Sequence, residues 1–123
     1  MSTTHEPDFD WDQAASLLGD DPNAVEEEMV VIVRELVESA EVQFQELKLK
    51  NAETDRKGIG SLAHGLRGCL LNFGFTEVGE ILFQVEKGTY PASEYLERID
   101  QAHAAFITSK KLLAARYPSL GLT

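Results

Sequence analysis

Between Val25 and Leu47 apolar residues return at spacings of three, four and seven. Such spacing puts side chains on one face of a helix, and no stretch of the chain shows the strict alternation of a strand. Val25, Met29, Ile32, Leu36, Ala40 and Leu47 form one stripe, with Val30, Val37 and Phe44 in a second stripe beside it. A helix with two apolar stripes must bury more than one side. A short helix from Asp10 to Leu18, stopped by Gly19, can cover one of them with Phe9, Trp11 and Leu18.

The remaining punctuation divides the chain into further helices. Asp21 is placed to cap the long helix, Pro22 to occupy its first position, and Glu26 to Glu28 to lie near its positive end. That helix runs to Lys50. The next starts at Thr54 or Asp55 and ends at Gly74, a suitable C-cap. Thr76 then caps a shorter helix that turns Val78, Ile81, Leu82 and Val85 inward and stops at Gly88. The last spans Ala92 to Tyr117 and buries Tyr95, Ile99, Ala102, Phe106, Leu113 and Tyr117 before Pro118. Four substantial helices joined by short turns predict an all-α fold, an antiparallel four-helix bundle with an additional short N-terminal helix. Residues 1–8 read as a flexible N-terminal tail and residues 9–123 as one domain.

Charge and composition exclude several classes of function. The formal net charge is -10, which repels phosphate backbones and anionic lipid alike. No apolar run approaches the ~20 residues of a membrane span. "MSTTHEPDFD" carries neither a basic segment nor an apolar run, so it is not a signal peptide. Cys69 is the single cysteine and has no internal disulfide partner. These features predict a soluble cytoplasmic protein with no nucleic-acid or membrane partner. A monomer is the default, since the stripes can be satisfied internally. Met1 and the complete set of helices lead to the expectation of a free-standing component.

Within the third long helix, "SLAHGLRGCLLNFGF" from Ser61 to Phe75 is the stretch that points to chemistry. Gly65 and Gly68 lie inside it and Gly60 just precedes it, although each interior glycine costs a helix roughly 1 kcal/mol against alanine. At ~100° per residue, Ile59, Leu62, Ala63, Leu66, Leu70 and Phe73 make the core face. His64 falls roughly 140° from its centre and faces solvent. Its axial neighbours are Gly60 and Gly68, with Ser61, Arg67, Lys57 and Leu71 three and seven residues away. Neighbours without side chains let the ring stand clear for a partner's flat or concave surface. Lys57 and Arg67 add positive charge suited to an anion on or near the ring. The bland alternative is a surface histidine among drifting glycines. Gly65 lies well around the helix from the cleared channel and has no role in this reading.

"AHGLRGCLLNFGF" resembles the signature of the histidine-containing phosphotransfer (HPt) domain, A-H-x-L-K-G-S-x-x-x-G-A. Ala63, His64, Leu66, Gly68 and Gly74 match; Arg67, Cys69 and Phe75 stand where the family usually or often has lysine, serine and alanine. The upstream "LLGDDPNAVEEEMVVIVRE" is similar to the family's entry into its second helix. The resemblance implies a phosphorelay carrier without kinase activity. His64 accepts a phosphoryl group from a receiver-domain aspartyl phosphate and passes it to another receiver aspartate. Implied partners are receiver domains of response regulators and of hybrid histidine kinases. The receiver supplies the aspartate and the Mg²⁺, so no cofactor is expected on this chain. Arg67 and Lys57 are expected to stabilise the phosphate, and Gly60, Gly68, Leu71 and Ser61 to form the docking surface. Arginine keeps the charge of lysine and offers a planar fork to two phosphate oxygens.

The chemistry agrees with these residues. A neutral imidazole has a lone pair on one nitrogen and can attack phosphorus. Phosphoryl transfer depends mainly on positioning and charge stabilisation. Two other readings stay open: a non-catalytic HPt-like adaptor that binds receivers or kinases without phosphotransfer, and a structural helical module marked by a large exposed apolar patch. Cys69 is expected to pack at the flank of the core as a small hydrophobe. Phe83 falls off its helix's stripe and packs either on the N-terminal segment or on a partner. His5 lies in the tail, and His103 reads as a hydrogen-bonded boundary residue. Asp100 and His103 make only a weak half-copy of a bundle metal motif, and no metal site is expected.

Overall fold

A computed structural model describes residues 6–122. The described residues form helices α1 (Trp11–Leu18), α2 (Glu27–Leu49), α3 (Arg56–Leu71), α4 (Thr76–Lys87) and α5 (Ala92–Arg116), followed by a 3₁₀ turn at Pro118–Leu120. No strand occurs among them. The four longer helices close into a ring of contacts, α2 against α3 and α5, and α4 against α3 and α5. The fold is therefore the expected four-helix bundle with one short helix added at its N-terminal end. None of these helices is long and apolar enough to cross a membrane.

Aromatic rings fill the middle of the core. Phe106 lies 5.4 Å from Phe44 and 5.6 Å from Phe75, and all three are fully buried. On α2 the buried residues are Val33, Val37, Ala40, Phe44 and Leu47. Their alternating spacing of four and three defines one face. The two stripes expected from sequence are the two edges of that single broad face, with Met29, Val30 and Leu36 packed at its margins. Ile32 falls outside it and is 45% exposed, while Val33, absent from both stripes, is completely buried. On α5 the expected stripe is buried throughout, from Tyr95 to Tyr117.

The start of α2 differs from expectation. Asp21 and Pro22 belong to a turn: the Asp21 side chain accepts the N–H of Asn23, and its carbonyl accepts that of Ala24. Aspartate beside its own backbone offers it an alternative to helix, and here the turn prevails. Helix α2 begins five residues later at Glu27, still with Glu27 and Glu28 in its first turn.

Helix α1 joins the core through Ala14 and Leu18. It lies across the α3–α4 turn and the end of α5. Gln13 donates to the Asn72 carbonyl at 2.9 Å, and Arg116 stacks over Trp11 at 4.8 Å. The segment before it runs beside the start of α4. The Asp10 N–H donates to Gly74, and the Asp8 carbonyl accepts from Glu77, one of the N–H groups α4 itself leaves unpaired. Phe9 sits edge-on to Phe75 at 5.1 Å. His5 and the first five residues of the expected tail lie outside the described residues; of the remainder, Pro7 is buried and Asp8 is hydrogen-bonded.

The hinge between α3 and α4 is a Schellman turn. Asp55 caps α3 by accepting the Gly58 N–H at 3.0 Å, and the helix ends at Leu71. Gly74 takes a left-handed φ of 95°. The Phe75 N–H reaches back to Leu70 and the Gly74 N–H to Leu71. Thr76, expected as the cap of α4, is its first residue and donates its hydroxyl to the Gly74 carbonyl.

Two glycines of this region should respond oppositely to the same change. A Cβ at Gly74 would meet the Asp10 carbonyl at 2.7 Å on a backbone already in the left-handed region. Gly74→Ala should therefore destabilise the fold by about 1–3 kcal/mol. Gly65 has nothing within 4 Å of its Cβ position. Gly65→Ala should add up to about 1 kcal/mol through helix propensity. Urea denaturation of the two variants beside the wild type measures both signs.

Candidate functional site

His64 projects from the outer face of α3 with 65% of its side chain exposed. Its position and that of its partner follow from the α3–α4 hairpin. Residues equally far from Phe75 on the two helices face each other: Leu71 lies over Gly79, Arg67 over Phe83 and His64 beside Glu86. A Cβ at Gly79 would run into the Leu71 side chain, so this glycine lets the two helices approach.

Glu86 is the centre of the site. His64 Nδ1 lies 2.9 Å from its Oε2, Lys87 Nζ 3.2 Å from the same oxygen, and Arg67 Nη2 3.2 Å from Oε1. Only 10% of the Glu86 side chain is exposed. Burial pushes its carboxyl up, but the hydrogen bonds and charge contributed by Lys87 and His64 outweigh this and hold it below the usual carboxylate range. An ionised carboxylate only accepts hydrogen bonds, so Nδ1 of His64 carries the proton. In the neutral ring the lone pair is then on Nε2, the nitrogen turned away from Glu86.

The expected site residues take distinct places. Lys57, Gly60 and Ser61 line one shallow hollow with His64, together with Arg56, Glu86 and Lys87. Gly68 is exposed, with nothing within 4 Å of its Cβ position, so the chain itself does not require glycine there. Gly60 is half-buried, and its Cβ position is 3.6 Å from the Glu86 carbonyl; it faces the end of α4 as well as the hollow. Arg67 is held between Glu86 and Phe83, its guanidinium 4.9 Å from that ring. Leu71 is 38% exposed and Phe83 45% exposed. Both line a groove between α3 and α4 with Arg67, Thr76, Gly79, Glu80 and Gln84. Phe83 thus packs under Arg67 at the edge of this groove.

Cys69 corrects an expectation. It is exposed and lines an open groove between α2 and α3 with Ile32, Leu36 and Phe73. Glu86 itself was not among the expected site residues. The signal that finds it is positional: in a hairpin about Phe75, Glu86 is the mirror position of His64, eleven residues from the turn on either side.

His103 is hydrogen-bonded as expected, and it is buried rather than at the boundary. It stacks on Phe44 at 4.9 Å, lies 2.9 Å from the Glu41 carboxylate through Nε2, and meets Lys48 Nζ through Nδ1 at 2.6 Å. Asp100 pairs with Lys48 at 3.6 Å. Among the described residues no group of three His, Cys, Asp or Glu side chains could hold a metal ion.

The family model of the Hpt domain matches residues 31–112, well over half of the chain, and the chain belongs to that family. The match runs from the first turns of α2 to the last turns of α5 and leaves α1 outside. No curated protein and no solved structure matches it. Membership places the chain in the histidine phosphotransfer of phosphorelays, where Hpt domains are phosphocarriers that interact with receiver domains.

The depressed Glu86 carboxyl has a consequence for stability. A carboxyl lowered on folding stabilises the protein above its unfolded value, and that contribution is lost as pH falls through the folded value. The stability difference between wild type and Glu86→Gln should therefore be largest near neutrality and shrink through the carboxylate range. Thermal unfolding of both proteins from pH 7 to pH 3 measures it; a difference constant across that range contradicts the ionic role.

Proposed function

We propose that His64 is the phosphoryl acceptor of this Hpt domain, taking the group on Nε2 from a receiver's aspartyl phosphate and returning it to another receiver's aspartate. The observation that carries the reading is the contact of Nδ1 with the Glu86 carboxylate, which in the neutral ring puts the lone pair on Nε2 of an exposed side chain. In the forward step Nε2 attacks phosphorus, the N–P bond forms, and the acyl phosphate bond breaks with its electron pair on the leaving carboxylate. The receiver contributes the Mg²⁺ and most of the charge stabilisation.

The surroundings support docking at this point. Gly68 leaves space beside the ring, while Leu71 and Phe83 offer apolar area at the adjoining groove. Arg56, Lys57 and Lys87 put positive charge around the hollow on a chain of net charge -10. That suits the acidic active site of a receiver and the incoming phosphoryl group. Lys57 is one of three cations lining the hollow, and Arg67 acts through its pairing with Glu86. The domain is read as a cytoplasmic, monomeric carrier with no kinase activity of its own.

Incubation with a panel of phosphorylated receivers tests the proposal. Wild type should acquire label and His64→Ala none. Gly68→Gln should slow transfer about tenfold or more by filling the approach, with its circular dichroism unchanged. If every cognate receiver binds but leaves wild type unlabelled, the chain is an adaptor and the proposal fails. Equal rates for Gly68→Gln and wild type contradict the steric part.

A further inference from the structure

Glu86 touches the ring nitrogen opposite the reacting one, and the cations touching Glu86 work against the proton on that nitrogen. We propose that Glu86 is a positioning residue that keeps Nδ1 protonated after His64 is phosphorylated, so that the phosphohistidine stays a good phosphoryl donor. The inference rests on the reading of His64 as the acceptor and adds to it what governs the lifetime of the phosphorylated state.

The argument follows the bonds. When Nε2 takes the phosphoryl group while Nδ1 holds its proton, the ring becomes a phosphoimidazolium. In the onward step the incoming carboxylate oxygen attacks phosphorus, the P–N bond breaks, and its electron pair returns to Nε2. The departing group is then neutral imidazole, and no proton has moved. If Nδ1 loses its proton first, the group that has to leave is an imidazolate, a far poorer leaving group. Whatever holds the Nδ1 proton therefore holds the phosphoryl group in its transferable form.

The local charges decide how firmly that proton is held. The hollow is built from α3, which contributes Arg56, Lys57 and His64, and from α4, which contributes Glu86 and Lys87. Arg67 of α3 reaches the same carboxylate from the other side. Every charged group here except Glu86 is a cation and disfavours a positive ring. Glu86 is the one opposing charge, it is mostly buried, and its Oε2 is in hydrogen-bond contact with Nδ1 at 2.9 Å. A hydrogen bond to an ionised group is about twice as strong as a neutral one. Glutamine at this position could still accept from Nδ1, but without charge, and only the phosphoryl group's own charge would then oppose the cations.

The test needs no receiver. Phosphoramidate, a small phosphoryl donor, labels the protein, and loss of label is followed across pH 5 to pH 10. The wild-type rate should stay high up to a pH where Nδ1 releases its proton and fall above it. In Glu86→Gln this fall should move down by about one pH unit or more, lengthening the lifetime roughly tenfold in the interval. In Arg67→Gln it should move up, because one opposing cation is gone. An effect confined to folding would not shift the two profiles in opposite directions. The wild type alone provides a second measurement, ¹⁵N NMR of the phosphorylated ring, which should show Nδ1 protonated at pH 8. Coincident profiles for wild type and Glu86→Gln, or a wild-type Nδ1 bare at pH 8, overturn the inference while leaving His64 as acceptor. Failure of phosphoramidate to label His64 overturns both.

Discussion

The left-handed turn at Gly74 fixes the register in which α3 packs on α4, and the site depends on that register. The turn closes α3 with two back-directed hydrogen bonds and delivers Phe75 into the core. From there the two helices face each other residue for residue, Leu71 on Gly79 and Arg67 on Phe83, until His64 meets Glu86. A slip of one residue would rotate Glu86 by ~100° and remove the acceptor from Nδ1. The N-terminal segment reinforces the turn: Asp10 donates to the Gly74 carbonyl, Asp8 accepts from Glu77, and Phe9 packs on Phe75. A segment remote from His64 in sequence thus helps to place its partner.

This arrangement divides labour between two faces of α3. Ile59, Ala63, Leu66 and Leu70 are completely buried and anchor the helix. The opposite face carries the exposed His64 ring beside glycines, which offer no side chains to pack. The helix is stable because its core face is good, so its outer face can carry residues of poor propensity. Glu86 adds what the glycines do not: it fixes the tautomer and orientation of a side chain that is otherwise free to rotate.

Much of this was legible in the sequence. Helix number and order, a start of α3 at Thr54 or Asp55, the Gly74 stop and the outward direction of His64 all follow from local patterns, because each is decided within a turn or two of the residue concerned. The features that escaped are those decided by a distant neighbour. Asp21 has the chemistry of a cap, and only the structure shows its turn prevailing over the helix. Two apolar stripes on α2 proved to be the edges of one face because Val33, which belongs to neither, is buried between them. Cys69 lies at the flank of the core face, and the structure leaves it exposed on an open groove between α2 and α3. Glu86 looks like an ordinary surface acid until the hairpin register is known, and that register was available by counting outward from the turn.

The central claim is that Glu86 occupies Nδ1 and leaves Nε2 of His64 as the nucleophile. The most direct measurement is ³¹P and ¹⁵N NMR of the wild-type protein phosphorylated by a cognate phospho-receiver, which identifies the nitrogen bonded to phosphorus. The account predicts a single acid-labile, alkali-stable phosphohistidine at His64, bonded through Nε2. Phosphate on Nδ1, or an acid-stable phosphate on another side chain, would contradict it.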